Sequence, residues 1–99
     1  MNKWTPHYTL SEIQAQMVTV DSMNLTKVAR IGIRDAGMTQ AEALAVVASL
    51  GSVNFYKSMT TYADVSVWQD VYHGKQGEIS LYVKFQRSEN YFVISFKEK

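Results

Sequence analysis

The sequence predicts an α+β fold in which N-terminal helices pack on a C-terminal antiparallel β-sheet. Two observations carry this. Apolar residues recur at helical spacing through the first half, then switch to alternation after Gly51. The two kinds of element are also segregated along the chain, the order expected of α+β rather than α/β proteins. A length of 99 residues and a hydrophobic share of 46% suit a single domain over residues 1–99 with a core of its own.

The first helix is expected to begin at Thr9, whose hydroxyl would cap it while Glu12 reaches back in a Thr-x-x-Glu capping box. Ile13 and Met17, four apart, then face the core. A second helix fits Leu25 to Ala36, with Leu25, Val28, Ala29 and either Ile31 or Ile33 inward and Gly37 as its stop. The third repeats the capping signal at Thr39 and Glu42, continues through "ALAVVASL" and closes at Gly51. Being apolar nearly all round, it is expected to be the most buried of the three.

In "VSVWQDVYH", Val65, Val67, Gln69 and Val71 alternate with Ser66, Trp68, Asp70 and Tyr72, a strand pattern. "EISLYVKF" sets Ile79, Leu81, Val83 and Phe85 against Ser80, Tyr82 and Lys84; "YFVISFKE" sets Phe92, Ile94 and Phe96 against Tyr91, Val93, Ser95 and Lys97. "HGKQG" and "QRSEN" read as the turns between three neighbouring antiparallel strands. A hairpin of the last two brings Tyr82, Lys84, Ser95 and Lys97 to one non-core surface. Gln69 shares its parity with three valines, so either the non-core face includes it or a bulge re-aims it.

The absence of cysteine excludes disulfides, thiolate-ligated zinc and thiol catalysis. His7 and His73 lie far apart, which argues against a zinc site built by this chain alone. No apolar run approaches the ~20 residues a membrane span needs. "MNKWTPHYTLSE" lacks the hydrophobic core of a signal peptide, and a cytoplasmic location is the expectation. A net charge of +1 decides nothing about partners by itself.

The stretch "NFYKSMTTYADVSVWQDVY" crowds Tyr56, Lys57, Tyr62, Trp68, Gln69 and Tyr72 together. Sheet packing accounts for aromatic residues of this kind, and exposed lysines protect strand edges. Aromatics interleaved with lysines also suit single-stranded RNA, whose bases stack on rings while ammonium groups meet phosphates. A third reading takes "MTQAEALAVVASLGSVNFYKS" as a helix–turn–helix with Gly51 at the turn, although Lys57 is the only basic residue its recognition helix would carry.

"FYKSMTTYADVSVWQDVYH" with the terminal "ISFKEK", and "TPH" at Thr5 to His7, resembles the MqsR family, the motility quorum-sensing regulator toxins of bacterial toxin–antitoxin pairs. The resemblance is strong from Phe55 to Lys99 and limited to the helical pattern between Leu10 and Ser52. It implies a RelE-like fold and a ribosome-independent mRNA interferase, an endoribonuclease that cuts messenger RNA at short GC-containing sites and arrests growth. It implies no metal or cofactor in the toxin. The expected partners are mRNA and a cognate antitoxin with a zinc-binding N-terminal domain and a helix–turn–helix domain, so DNA would be met only through the antitoxin.

The resemblance carries four active-site residues onto this chain: Lys57 of "FYKSM", Gln69 of "WQDVY", Lys97 of "SFKEK" and Tyr82 of "LYVK". Tyr82 and Lys97 are also on the polar face that alternation picks out. Metal-free cleavage by the ribose 2′-hydroxyl leaves a 2′,3′-cyclic phosphate and a 5′-hydroxyl; it needs a base, an acid and cations for the developing charge. Lys57 and Lys97 suit the cationic task, Tyr82 suits proton transfer, and Gln69 suits hydrogen bonding to phosphate or base. Tyr56, Tyr62 and Trp68 are the stacking candidates. His7 is a possible acid or base, whereas His73 reads as a surface turn residue. Lys27, Arg30 and Arg34, at i, i+3 and i+7, form either a basic stripe toward RNA or an acidic partner, or a solvated helix face. The alternative from another class is a non-catalytic module that binds RNA or the antitoxin without cutting.

Overall fold

The computed structural model describes Met1–Lys99. In chain order the elements are β1 (Asn2–Lys3), α1 (Leu10–Gln16), α2 (Lys27–Asp35), α3 (Gln40–Ser49), β2 (Phe55–Thr60), β3 (Trp68–Gln76), β4 (Ile79–Ser88) and β5 (Tyr91–Glu98), with single 3₁₀ turns at Asp21–Met23 and Ser52–Asn54. The strands form one sheet in the order β1-β2-β3-β4-β5, each pair antiparallel. The expected α+β arrangement is therefore observed, with β1 and β2 added to the three strands legible by alternation.

Helix α1 starts after Thr9 as expected, but the Thr9 hydroxyl makes no capping bond. The Glu12 N–H that it would satisfy donates to Thr9's own carbonyl at 3.1 Å. Ile13 and Met17 are 0% and 3% exposed. Helix α2 is shorter than predicted because Leu25 is extended, bridging Ile94 of β5 in parallel, and Thr26 caps the helix by accepting the Ala29 N–H. Its buried ridge is Ala29 and Ile33, whereas Val28 and Ile31 point outward. Gly37, at φ +73°, ends the helix: Met38 N–H donates to the Ile33 carbonyl and Gly37 N–H to that of Arg34. This is the paired-bond close that a left-handed residue makes possible.

Helix α3 shows the full Thr39–Glu42 capping box and buries Ala43, Val46 and Val47, more positions than either other helix. Its Ala41, Ala45 and Ala48 face solvent, so it is not buried all round. After Gly51 comes one 3₁₀ turn and then β2, which leaves no second helix to read DNA. Strand β3 begins only at Trp68, with Val65 exposed in the preceding loop. It runs on through His73 to Gln76, which pairs with Ile79, so the predicted first turn narrows to Gly77 and Glu78.

All three helices cover one face of the sheet. The core joins Ile13, Ala29, Ile33, Val46 and Val47 to Tyr72, Leu81, Val83, Phe85, Phe92, Ile94 and Phe96, each at most 5% exposed. Helix α2 lies so close to β5 that a Cβ on Gly32 would sit 2.0 Å from the Phe96 carbonyl oxygen. The other face of the sheet carries no helix.

The open face of the sheet as a candidate active site

Strand alternation and antiparallel register together stack the uncovered face in rows. One row runs His73–Tyr82–Lys97, the next Lys57–Val71–Lys84–Ser95, and the third Met59–Gln69–Gln86–Val93. Gln69 thus belongs to this face by simple parity, with no bulge beside it, and its amide donates to Gln86 Oε1 at 3.1 Å. The irregularity lies on β2. Phe55 pairs with Tyr72 and Lys57 with Val71, so Tyr56 is an extra residue opposite no partner. That bulge lets consecutive side chains serve one face: Phe55 packs edge-on against Tyr72 in the core, while Tyr56 and Lys57 both turn outward.

Lys57, Tyr82, Lys84 and Lys97 line a depression of about 230 Å³, with Tyr56, Met59 and Val71. Lys57 and Met59 also line a neighbouring one of about 410 Å³ that reaches Tyr62. Lys84 borders a third, of about 320 Å³, with Gln69, Gln86 and Ser95. The three form a continuous trough whose lining contains no aspartate or glutamate. Lys99 adds its ammonium 5.4 Å from the Tyr82 ring, and Lys57 lies 5.1 Å from that of Tyr56. The chain's only ion pair is Arg34–Asp35, at 3.6 Å, and Asp35 and Glu98 border Lys97 in a separate depression between α2 and β5. The overall charge of +1 therefore conceals a strongly cationic face.

Six of the eight expected site residues meet here or at the rim: Lys57, Gln69, Tyr82, Lys97, Tyr56 and Tyr62. Tyr62, in the β2–β3 loop and fully exposed, borders the trough. Trp68 and His7 do not join them. Trp68 has the parity of Asp70 and Tyr72, which puts its ring on the helix side, where His7 stacks on it at 5.3 Å and Lys3 Nζ sits 4.4 Å above it. Lys3 Nζ also meets His7 Nδ1 at 2.8 Å. The cause is Asp70, whose fully buried carboxylate accepts the backbone N–H of His7 and of Tyr8 and the Ser58 hydroxyl, fixing the N-terminal segment there. Tyr72 is likewise withdrawn: burial, then the neighbouring Asp70 charge, pushes its phenol up to about 12. Lys27, Arg30 and Arg34 occupy the solvent side of α2, Arg30 being tied to the Leu25 carbonyl.

One residue was missed by the sequence reading. His73 is a strand residue rather than a turn residue, half-buried between Tyr56 at 4.6 Å and Tyr82 at 5.4 Å. Its Nε2 is shielded from solvent and has no hydrogen-bond partner. Desolvation, then the Lys99 charge, holds its ring below the ordinary histidine value of 6.5. The extension of β3 through "HGKQ" was the missing signal, because glycine and lysine there read as a turn.

Comparison with known proteins agrees with this geometry. A family model described as motility quorum-sensing regulator, toxin of MqsA, matches residues 5–98. The chain is also 34% identical over 99 residues to the mRNA interferase toxin MqsR of Escherichia coli strain K12, covering 100% of both chains.

Proposed function

This chain belongs to the family of motility quorum-sensing regulator toxins, and from that premise we propose that it is an mRNA interferase whose active surface is the open face of its sheet. An RNA substrate and an antitoxin partner come with that membership. The observation that carries the site is the cross-strand pair Tyr82–Lys97 beside Lys57, in a trough free of carboxylates.

The trough offers amines, phenols, an imidazole and carboxamides. These are poor ligands for hard divalent cations and good partners for phosphate. Cleavage then proceeds by attack of the 2′-hydroxyl on the adjacent phosphate, forming the O2′–P bond and expelling O5′. The ammonium groups of Lys57 and Lys97 stabilise the charge that accumulates on the non-bridging oxygens, with Lys84 between them in the trough. Tyr82 exchanges a proton with the reacting oxygens. Gln69, held by Gln86, donates to phosphate or base. Tyr56 and Tyr62 flank the cations and receive bases by stacking. Products carry a 2′,3′-cyclic phosphate and a 5′-hydroxyl.

Cutting at short GC-containing sites without the ribosome would arrest growth, and mRNA as substrate places the action in the cytoplasm. The antitoxin proposed for it carries a zinc-binding N-terminal domain and a helix–turn–helix, through which the pair would reach DNA. The test is incubation of the purified chain with a defined mRNA in excess EDTA, beside Lys97→Ala, with chemical mapping of the product ends. Cyclic-phosphate and 5′-hydroxyl ends that vanish in the variant support the reading. Intact RNA in both reactions would replace it with a module that binds RNA or antitoxin without cutting.

A further inference from the structure

The row that carries Tyr82 and Lys97 begins with His73. Its imidazole faces away from the helix-packed core, so core packing does not explain a histidine there. Its Nε2 is dry and unpartnered, an uncommon condition for a polar atom in a folded chain and one that a ligand's hydrogen-bonding group would relieve. The Tyr56 ring packs on the imidazole, centred 4.6 Å away and tilted by 33°; it belongs to the unpaired residue of the β2 bulge and is itself 38% exposed.

We propose that His73 is a catalytic residue, the base that takes the 2′-hydroxyl proton once an RNA base has drawn the Tyr56 ring aside. This rests on the ribonuclease reading. Nε2 accepts the 2′ proton as the O2′–P bond forms; the P–O5′ bond breaks, and O5′ leaves with the proton of the Tyr82 hydroxyl. The imidazolium then returns its proton to the Tyr82 phenolate, 5.4 Å away between ring centres, through the solvent readmitted on product release. The groups facing His73 set its charge state. They are Tyr56 and Lys57 from β2, Lys75 on its own strand, Tyr82 and Lys84 from β4, and Lys97 and Lys99 from the β5 end. All four strands present cations on this face, while Glu98 of β5 pairs with Leu81 and alternates to the other, so the neutral ring, the form a base needs, is favoured.

The experiment is a pH profile of single-turnover RNA cleavage in EDTA by the wild-type chain and by His73→Gln. The wild type is expected to lose rate on the acid side, with an inflection below 6.5. His73→Gln is expected to be slower by about 100-fold or more, with that inflection gone. A variant that cuts at the wild-type rate with the acid inflection intact overturns the inference and leaves the ribonuclease reading standing. A wild-type chain that leaves RNA intact fails the ribonuclease reading, and this inference with it. A second measurement needs no variant: the ¹⁵N resonance of His73 Nε2, followed as an RNA oligonucleotide of the same sequence is added in which methylene replaces each bridging O5′, so that the 2′-hydroxyl is kept and the strand is not cut. A shift of that nitrogen supports the assignment. A fixed nitrogen while the Tyr56 ring signals move overturns it.

Discussion

The two faces of the sheet are built from the same strands, residue by residue in turn, yet polar groups fare differently on each. Asp70 and Gln69 are neighbours in sequence. Asp70, on the covered face, is 0% exposed and its carboxylate accepts three donors, two of them backbone N–H groups. Across the sheet, Lys57, Lys84, Lys97 and Lys99 have no acidic partner, and His73 Nε2 has no partner at all. On the covered face polar groups are satisfied within the chain, because burial without partners is costly. On the open face the lysine ammonium groups and His73 Nε2 have no such partner, although Gln69 and Gln86 bond to each other. Saturation marks what holds the fold, and its absence marks where RNA is expected.

That contrast breaks if substitutions on the two faces do not separate activity from stability. The largest effect is expected from Lys57→Ala and Lys97→Ala, which should each lower single-turnover cleavage about 100- to 1,000-fold, or about 3–4 kcal/mol. Urea unfolding should place both within about 0.5 kcal/mol of the parent. Asp70→Ala should do the reverse. Leaving Ser58 and the backbone of His7 and Tyr8 without their acceptor should cost about 3 kcal/mol, a fall of about 12–24 °C in melting temperature, with cleavage retained by the folded fraction. Smaller still is Gly32→Ala. The methyl group would meet the Phe96 carbonyl, and α2 must retreat from β5 at about 1–3 kcal/mol; an unshifted melting curve would show that the close approach is slack. The mildest test is spectroscopic. Tyr72 should ionise near 12 in an ultraviolet titration. Because its folded value lies above the unfolded value near 10, the contribution it makes to stability is whole below 10 and lost as pH rises toward 12.

Much of this plan was legible in the sequence, for definite reasons. Clean alternation in "EISLYVKF" and "YFVISFKE" assigned Ile79–Phe85 of β4 and Tyr91–Lys97 of β5 to their faces, and with them Tyr82 and Lys97, whereas Gln86–Ser88, read as part of a turn, continue β4. The Thr39–Glu42 box and Gly37 were read correctly because each is a local device whose partners lie within a few residues. What stayed hidden was set by distant partners. The Thr9 hydroxyl goes unused because Asp70, far along the chain, fixes how the chain approaches α1. Val28 and Ile31 face outward because α2 meets the sheet through Ala29, Ile33 and the bare backbone of Gly32. His7 and Trp68 carry the right chemistry for RNA, but parity and the Asp70 bonds hold them on the other side. β2 escaped notice because its bulge interrupts the period that would have revealed it.

The same bulge has a bearing on how such an enzyme can be retuned. Since Phe55 and Lys57 already pair with the consecutive residues Tyr72 and Val71, deleting Tyr56 would leave a regular ladder with the core aromatic and the Lys57 amine both in place. Position 56 is in that sense a removable part: a ring, a smaller side chain or nothing can occupy it while Phe55 and Lys57 keep their pairing. Base preference could then drift, or be engineered, at one site in a strand whose neighbours are otherwise fixed. A Tyr56-deleted chain that folds and cuts with altered sequence choice would be the mark of that modularity; one that fails to fold would show that the extra residue is needed to twist the strand.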